Sequence, residues 1–210
     1  MRKVAILNFG LGNIRSIYNA LIVSGTEPIV CEKNHQIADF DFLILPGVGA
    51  FPVGMELLKK SGFDDSIREH VSKEKKLLGI CLGMQMLFDS STEHTLTKGL
   101  GIVKGQVVKI NESKLYQKKL PHISWKTISY QSDTQISKMF DGIGEKDKFY
   151  FVHSFSAVGL AENLSRASCQ YGDNDITAGF VENNTWGVQF HPEKSRQNGI
   201  RLLKNFLEIR

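Results

Sequence analysis

Short apolar runs at residues 4–7, 28–31, 42–45 and 77–80 alternate with stretches whose apolar residues recur at a helical period, and this alternation restricts the fold more than any other feature. Each run has the length of a strand and falls far short of the ~18 apolar residues needed to cross a membrane. Over residues 13–24, Ile14, Ile17, Tyr18 and Leu21 share one helical face, and Gly25 supplies the stop. Residues 55–60 and 64–75 read as further helical pieces, and 82–89 as a helix entered directly from the run at 77–80. Strands alternating with helices predict a parallel sheet covered on both faces.

The second half is richer in strands, with candidates at 105–110, 127–130, 149–153, 168–171, 177–181 and 185–189. A last helix, over residues 199–209, places Ile200, Leu203, Phe206 and Leu207 on one face. The expected fold is α/β: one three-layer domain over residues 1–210, with an open, mostly parallel sheet and an antiparallel extension. A chain of 210 residues suits one well-buried domain rather than two. In such sheets reactive groups collect beyond the carboxyl ends of the strands, where the motifs below fall.

Composition argues against several function classes. With 23% charged residues and a formal charge of +4, the chain has no clustered basic stripe with interleaved aromatics, so nucleic acid is not an expected partner. The N-terminal apolar run is too short for the core of a signal peptide and no run reaches a membrane span, so a cytoplasmic protein is expected. Cys31, Cys81 and Cys169 are odd in number and widely spaced, which suggests neither a disulfide framework nor a metal set. His35, His70, His94, His122 and His153 also lack metal-ligand spacing, and no metal or cofactor is expected. Gly10-Leu11-Gly12 with Glu32 beyond it imitates a dinucleotide fingerprint, but Arg15 stands at the third glycine position.

Gly79-Ile80-Cys81-Leu82-Gly83 joins an apolar strand to a helical pattern and has the form of a nucleophile elbow with Cys at its tip. A turn sharp enough to lift a side chain out of the sheet needs neighbours without Cβ atoms, which the flanking glycines supply. A following helix aims N-terminal amides at the sulfur and favours thiolate. Val188-Gln189-Phe190-His191-Pro192-Glu193 ends another strand. His191 is the candidate base, and Glu193 the acid that orients it; Pro192 between them demands a bend. Pro46-Gly47-Val48-Gly49-Ala50-Phe51 ends a third strand, and acyl transfer needs backbone N–H donors at the developing oxyanion. Val48 or Gly49 N–H is one candidate donor and Leu82 N–H, after the nucleophile, the other.

These segments, with Gly79-Ile80-Cys81-Leu82-Gly83-Met84-Gln85, Tyr150-Phe151-Val152-His153-Ser154 and His191-Pro192-Glu193-Lys194-Ser195, resemble the class I (triad-type) glutamine amidotransferases. Within that class, Gly10-Leu11-Gly12-Asn13 and the 46–51 loop are similar to the glutaminase subunits of imidazole glycerol phosphate synthases. The resemblance implies hydrolysis of glutamine through a thioester at Cys81, with Gln85 helping to hold the substrate. It also implies a heterodimer with a (β/α)8-barrel cyclase that uses the ammonia to form imidazole glycerol phosphate and AICAR in histidine biosynthesis. By the same match Asn13 and Lys194 are interface residues. His153 and Ser154, at a strand end, are candidates for lining the glutamine site, and Trp125 for walling that pocket or the interface. The family usually reads Pro-His-Met-Gly-Trp-Asn where this chain has Pro121-His122-Ile123-Ser124-Trp125-Lys126. That departure touches the partner surface, and relatives of these subunits also serve barrel partners that aminate surface sugars.

A cysteine hydrolase of a related elbow fold, or a non-catalytic module on the same scaffold, would lack one of Cys81, His191 and Glu193 in this pattern. A glutamine-like electrophile is therefore expected to label Cys81 and to leave Cys31 and Cys169 unmodified, as read by peptide mass spectrometry. Labelling confined to either of the latter would overturn the assignment.

Overall fold

A computed structural model describes residues 3–132 and 134–208. Ile209, at the end of the expected last helix, lies outside the described residues. The first half runs β1 (Val4–Leu7), α1 (Ile14–Val23), β2 (Ile29–Cys31), β3 (Phe42–Leu45), α2 (Phe51–Lys60), α3 (Phe63–Ser72), β4 (Lys76–Ile80) and α4 (Leu82–Gln85). There follow β5 (Phe88–Ser91), β6 (Thr97–Lys98), β7 (Val103–Lys109), β8 (His122–Lys126), β9 (Ser129–Tyr130) and α5 (Gln135–Met139). The last elements are β10 (Phe149–His153), β11 (Phe155–Val158), β12 (Ser165–Tyr171), β13 (Asn174–Glu182), β14 (Thr185–Val188) and α6 (Arg196–Glu208).

The main sheet has the order β2-β1-β3-β4-β14-β13-β12-β9. From β2 to β14 all pairings are parallel, and from β14 to β9 all are antiparallel. Every residue of β1 and β3 is buried, as a parallel sheet covered on both faces requires. Side chains alternate between two apolar cores. Val4 and Ile6 pack with Ile17, Leu21, Leu203 and Phe206 of α1 and α6, whereas Ala5 and Leu7 pack with Met55, Leu58, Phe63 and Ile67 of α2 and α3. The expected three-layer α/β architecture is what forms. No helix among the described residues is long and apolar enough to cross a membrane.

Several local expectations are corrected. The helix expected at 82–89 is a single turn, because the chain turns away into β5. Met86 and Leu87 carbonyls accept from Leu100, Ile102 and Val103 amides, and β5 pairs with β7 and β6. Tertiary pairing overrides the helical pattern there. The α2 helix starts at Phe51 rather than at residue 55, since Pro52 fits a first helical turn that lacks intrahelical acceptors. The strand expected at 127–130 is β9 alone, preceded by β8, which pairs with β10 in a separate two-stranded sheet. Residues 105–109 belong, as part of β7, to a four-stranded sheet with β11, β5 and β6, so of these two segments only β9 extends the main sheet.

A pair of buried histidines locks the small sheet. His122 and His153 face each other in register at one end of β8 and β10. His153 Nδ1 lies 2.8 Å from the Phe155 carbonyl, which can only accept, so Nδ1 carries the proton and Nε2 is bare. His122 Nδ1–H then donates to His153 Nε2 at 3.0 Å, and His122 Nε2 accepts from the Ser124 hydroxyl at 2.6 Å. One proton on each ring satisfies the whole chain of bonds, and burial favours that neutral form. Burial, reinforced by the neighbouring His153, pulls His122 down to about 3. Burial, only partly opposed by the Phe155 carbonyl, pulls His153 down to about 4. The His122 ring also stacks on Tyr171, with centroids 3.9 Å apart.

Close backbone packing at the elbow and depressed histidines each generate a test. A Cβ added at Gly83 would lie 1.9 Å from the Leu45 carbonyl oxygen, so Gly83→Ala must push the elbow away from β3. A loss of about 1–3 kcal/mol or more is expected on thermal unfolding, and an unchanged midpoint would contradict this packing. His122, His153 and His70, whose burial pulls it down to about 4, all sit below the ordinary histidine value when folded. The unfolded chain therefore binds more protons below pH ~6.5, and stability present above that value is lost as pH falls toward ~4. Urea titrations at pH 7 and pH 5 are expected to show the loss.

Candidate active site

Parallel pairing of β3, β4 and β14 brings their carboxyl ends to one edge of the sheet, and each is followed by one of the three motifs. Cys81 follows β4 with φ 54° and ψ −111°, a strained conformation for a residue with a Cβ. Two bonds hold it there: its N–H donates to the Val188 carbonyl of β14 at 2.8 Å, and its carbonyl accepts from Gln85 N–H at 3.1 Å. The strain is local to the residue whose side chain must leave the sheet. The helix behind the sulfur is only the single turn of α4, so the aligned amides expected of a longer helix are few.

Beyond β14 the chain bends in a 3-10 turn over Pro192–Lys194, which folds Glu193 back onto His191. His191 Nδ1 lies 2.8 Å from Glu193 Oε1, with both side chains almost fully enclosed. The main chain of His191 is also pinned: its N–H donates to the Tyr150 carbonyl at 2.9 Å, and its carbonyl accepts from the Ser195 hydroxyl at 2.6 Å. Since the carboxylate accepts at Nδ1, the neutral ring leaves Nε2 bare. Nε2 is buried without a hydrogen bond of ordinary geometry. Burial lowers the pKa of His191, but the Cys81 side chain and Glu193 outweigh it and raise the pKa well above the usual histidine range. A hydrogen-bonding interaction with the Cys81 side chain is the largest raising influence, so the sulfur lies within reach of the ring.

The glycine loop after β3 turns its Gly47 carbonyl toward the elbow. Leu82 N–H, an expected oxyanion donor, instead donates to the Gly47 carbonyl at 3.3 Å. In a trans peptide the Val48 N–H points opposite to that oxygen. The loop therefore presents the Gly47 carbonyl, an acceptor, where the expected Val48 donor would point. Gly47 is tight against the elbow, since a Cβ there would sit 2.8 Å from Gly83 nitrogen, while Gly49 has φ +105° in open space.

Gln85, in the turn after Cys81, is buried, and its Nε2 donates to the Phe155 carbonyl at 3.2 Å and to Gln189 Oε1 at 2.9 Å. That leaves Gln85 Oε1 as the acceptor end of the amide. Both ring nitrogens of His153 are engaged inside the protein, and Ser154 is partly buried beside it. Trp125 is 38% exposed, packs edge-on against Tyr150 and carries the Arg196 guanidinium over its ring, while Lys194 Nζ lies over Tyr150. Asn13 is partly buried at the start of α1, beside Gly12, which packs on Pro46. Ser195, Tyr150 and Gln189 were not singled out from the sequence. Gln189 had a usable signal, because a period of two along a strand puts it on the face of His191.

The family profile described as "Glutamine amidotransferase class-I" matches residues 5–209. The imidazole glycerol phosphate synthase subunit HisH of Caldanaerobacter subterraneus subsp. tengcongensis is 40% identical over 206 residues, 98% of each chain. That of Methanosarcina barkeri is 41% identical over 211 residues, with both chains fully covered. Among solved structures, a glutamine amidotransferase superposes with a TM-score of 0.73 at 21% identity, covering 98% of this chain and 97% of the other. PurLQS from Thermotoga maritima gives 0.71 at 20% identity over 98% and 97%. Both structural likenesses speak to the fold. Whole-length identity near 40%, together with Cys81, His191 and Glu193 at one sheet edge, means that this chain belongs to the class I glutamine amidotransferases and, within them, to the family of imidazole glycerol phosphate synthase HisH subunits.

Proposed function

We infer that the chain, acting as one domain in the cytoplasm, is the glutaminase subunit of an imidazole glycerol phosphate synthase. It hydrolyses glutamine to glutamate and ammonia and passes the ammonia to a (β/α)8-barrel cyclase partner in histidine biosynthesis. The observation that carries this reading is the enclosed His191–Glu193 pair beside Cys81. Cys81 Sγ attacks the carboxamide carbon of glutamine while His191 Nε2 takes the thiol proton. His191 then returns that proton to the leaving nitrogen, and ammonia departs as the thioester forms. Water, deprotonated by His191, attacks the thioester, releasing glutamate and restoring the thiol. Glu193 keeps the ring in the tautomer with Nε2 bare and stabilises the imidazolium between transfers. Gln85 Oε1 is suited to receive the ammonium group of the substrate.

The loop geometry supports a subunit that rests in a weakly active state. Rotation of the Gly47–Val48 peptide would release Leu82 N–H from the Gly47 carbonyl and turn Val48 N–H toward the oxyanion. A partner can drive that rotation only by binding the rotated arrangement more tightly. Trp125, Lys194 and Asn13 surround the same edge and are the contacts proposed for it. One missing oxyanion donor lowers turnover by roughly 10²–10³.

Glutaminase turnover is to be measured for the pure subunit, its complex with the native partner, and the complex with the partner's ligand bound. A rise across the three is expected, and equal rates would make the chain a free-standing glutaminase. In the liganded complex, His191→Asn is expected to lose several orders of magnitude and Glu193→Gln less, because only the orientation of the base is disturbed. Near-wild-type turnover of His191→Asn would refute the triad. Product analysis of the complex separates imidazole glycerol phosphate from an aminated sugar.

A further inference from the structure

We propose that Gln189 is a positioning residue for the glutaminase reaction, its carboxamide holding the Cys81 sulfur with Nε2–H and the Gln85 side chain with Oε1. The proposal rests on the glutaminase reading above and adds to it a residue outside the triad. Gln189 is wholly buried one residue beyond β14, and its side chain lies between the nucleophile and Gln85.

The orientation of its amide follows from one backbone carbonyl. Phe155 oxygen can only accept, so the Gln85 amide atom 3.2 Å from it is the nitrogen. The same NH2 group lies 2.9 Å from the Gln189 amide, which must therefore present its oxygen there. The remaining end of Gln189 is its NH2 group, and it donates to Cys81 Sγ at 3.8 Å. His153 Nδ1–H occupies the second lone pair of the Phe155 carbonyl, so the anchor itself cannot rotate freely. A flip of Gln189 would set oxygen against the sulfur and nitrogen against nitrogen.

An N–H donor to a thiol is weak, but it strengthens as charge gathers on sulfur. Charge gathers there twice, when Cys81 loses its proton to His191 and when the thioester breaks and sulfur departs. An interaction stronger in those steps than in the resting thiol raises turnover rather than affinity. The Oε1 end acts differently, because it sets which way Gln85 presents its acceptor to the substrate. The two ends therefore separate kinetically.

Two substitutions test this in the liganded complex. Gln189→Met removes both ends and is expected to lower kcat about 10- to 100-fold and to raise KM. Gln189→Glu keeps an acceptor for Gln85 but puts a carboxylate against the sulfur, so kcat falls at least as far while KM stays within about threefold of wild type. Ammonia-driven turnover of the partner and the thermal midpoint of each variant report on folding. Wild-type kcat in Gln189→Met overturns the proposal, as does a parallel loss of kcat, KM and stability in both variants. The alkylation rate of Cys81 by iodoacetamide in the complex gives a readout that needs no glutamine, and it is expected to fall about tenfold in Gln189→Met. A wild-type complex inert toward glutamine would overturn the glutaminase reading, and the alkylation rate would still decide the role of Gln189.

Discussion

Everything at the site hangs on the parallel pairing of β4 with β3 on one side and β14 on the other. Register sets Leu45 beside Gly79, and Val188 beside Ile80, so Cys81, the glycine loop and His191 leave the sheet at neighbouring points. The strands approach this closely at their ends only because side chains are missing there. A Cβ at Gly83 or Gly47 would run into the backbone of the facing segment, and one at Gly79 would meet the backbone of Met84. The strained Cys81 backbone is held by its bonds to Val188 and Gln85 and by burial of the strands on both faces.

That same tightness accounts for the loop's resting arrangement. Gly47 carbonyl and Leu82 N–H are within bonding distance because β3 and the elbow are pressed together, and a buried N–H left without an acceptor is unfavourable. With no substrate oxyanion to serve, the nearest acceptor is the loop's own carbonyl. The net strength of such a neutral bond is about 0.5–1.5 kcal/mol, which a modest difference in partner affinity between two loop arrangements can offset.

The buried polar groups behind the nucleophile follow a different logic. Ser124, His122, His153, Gln85 and Gln189 form a run of hydrogen bonds whose directions all trace to the Phe155 carbonyl, an atom with no freedom to donate. Buried groups so connected hold one another in place, and the Gln189 amide at the inner end faces the Cys81 sulfur. The Ser124 hydroxyl closes the outer end of the run.

The sequence by itself determined the alternation of strands and helices, the elbow at Cys81 and the His-x-Glu pair. Those depend on local periodicity, on glycine spacing and on residues two apart, all of which are visible along the chain. It also located the bend at Pro192, which the structure realises as a 3-10 turn. Only the tertiary structure decided that residues 86–91 leave the helix for a strand, because the competing partners, β6 and β7, lie further along the chain. Likewise, the Leu82–Gly47 bond and the Gln189–Cys81 contact join segments that are 35 and 108 residues apart. A hydrogen bond's direction depends on which atoms the fold places face to face, and no local pattern encodes that.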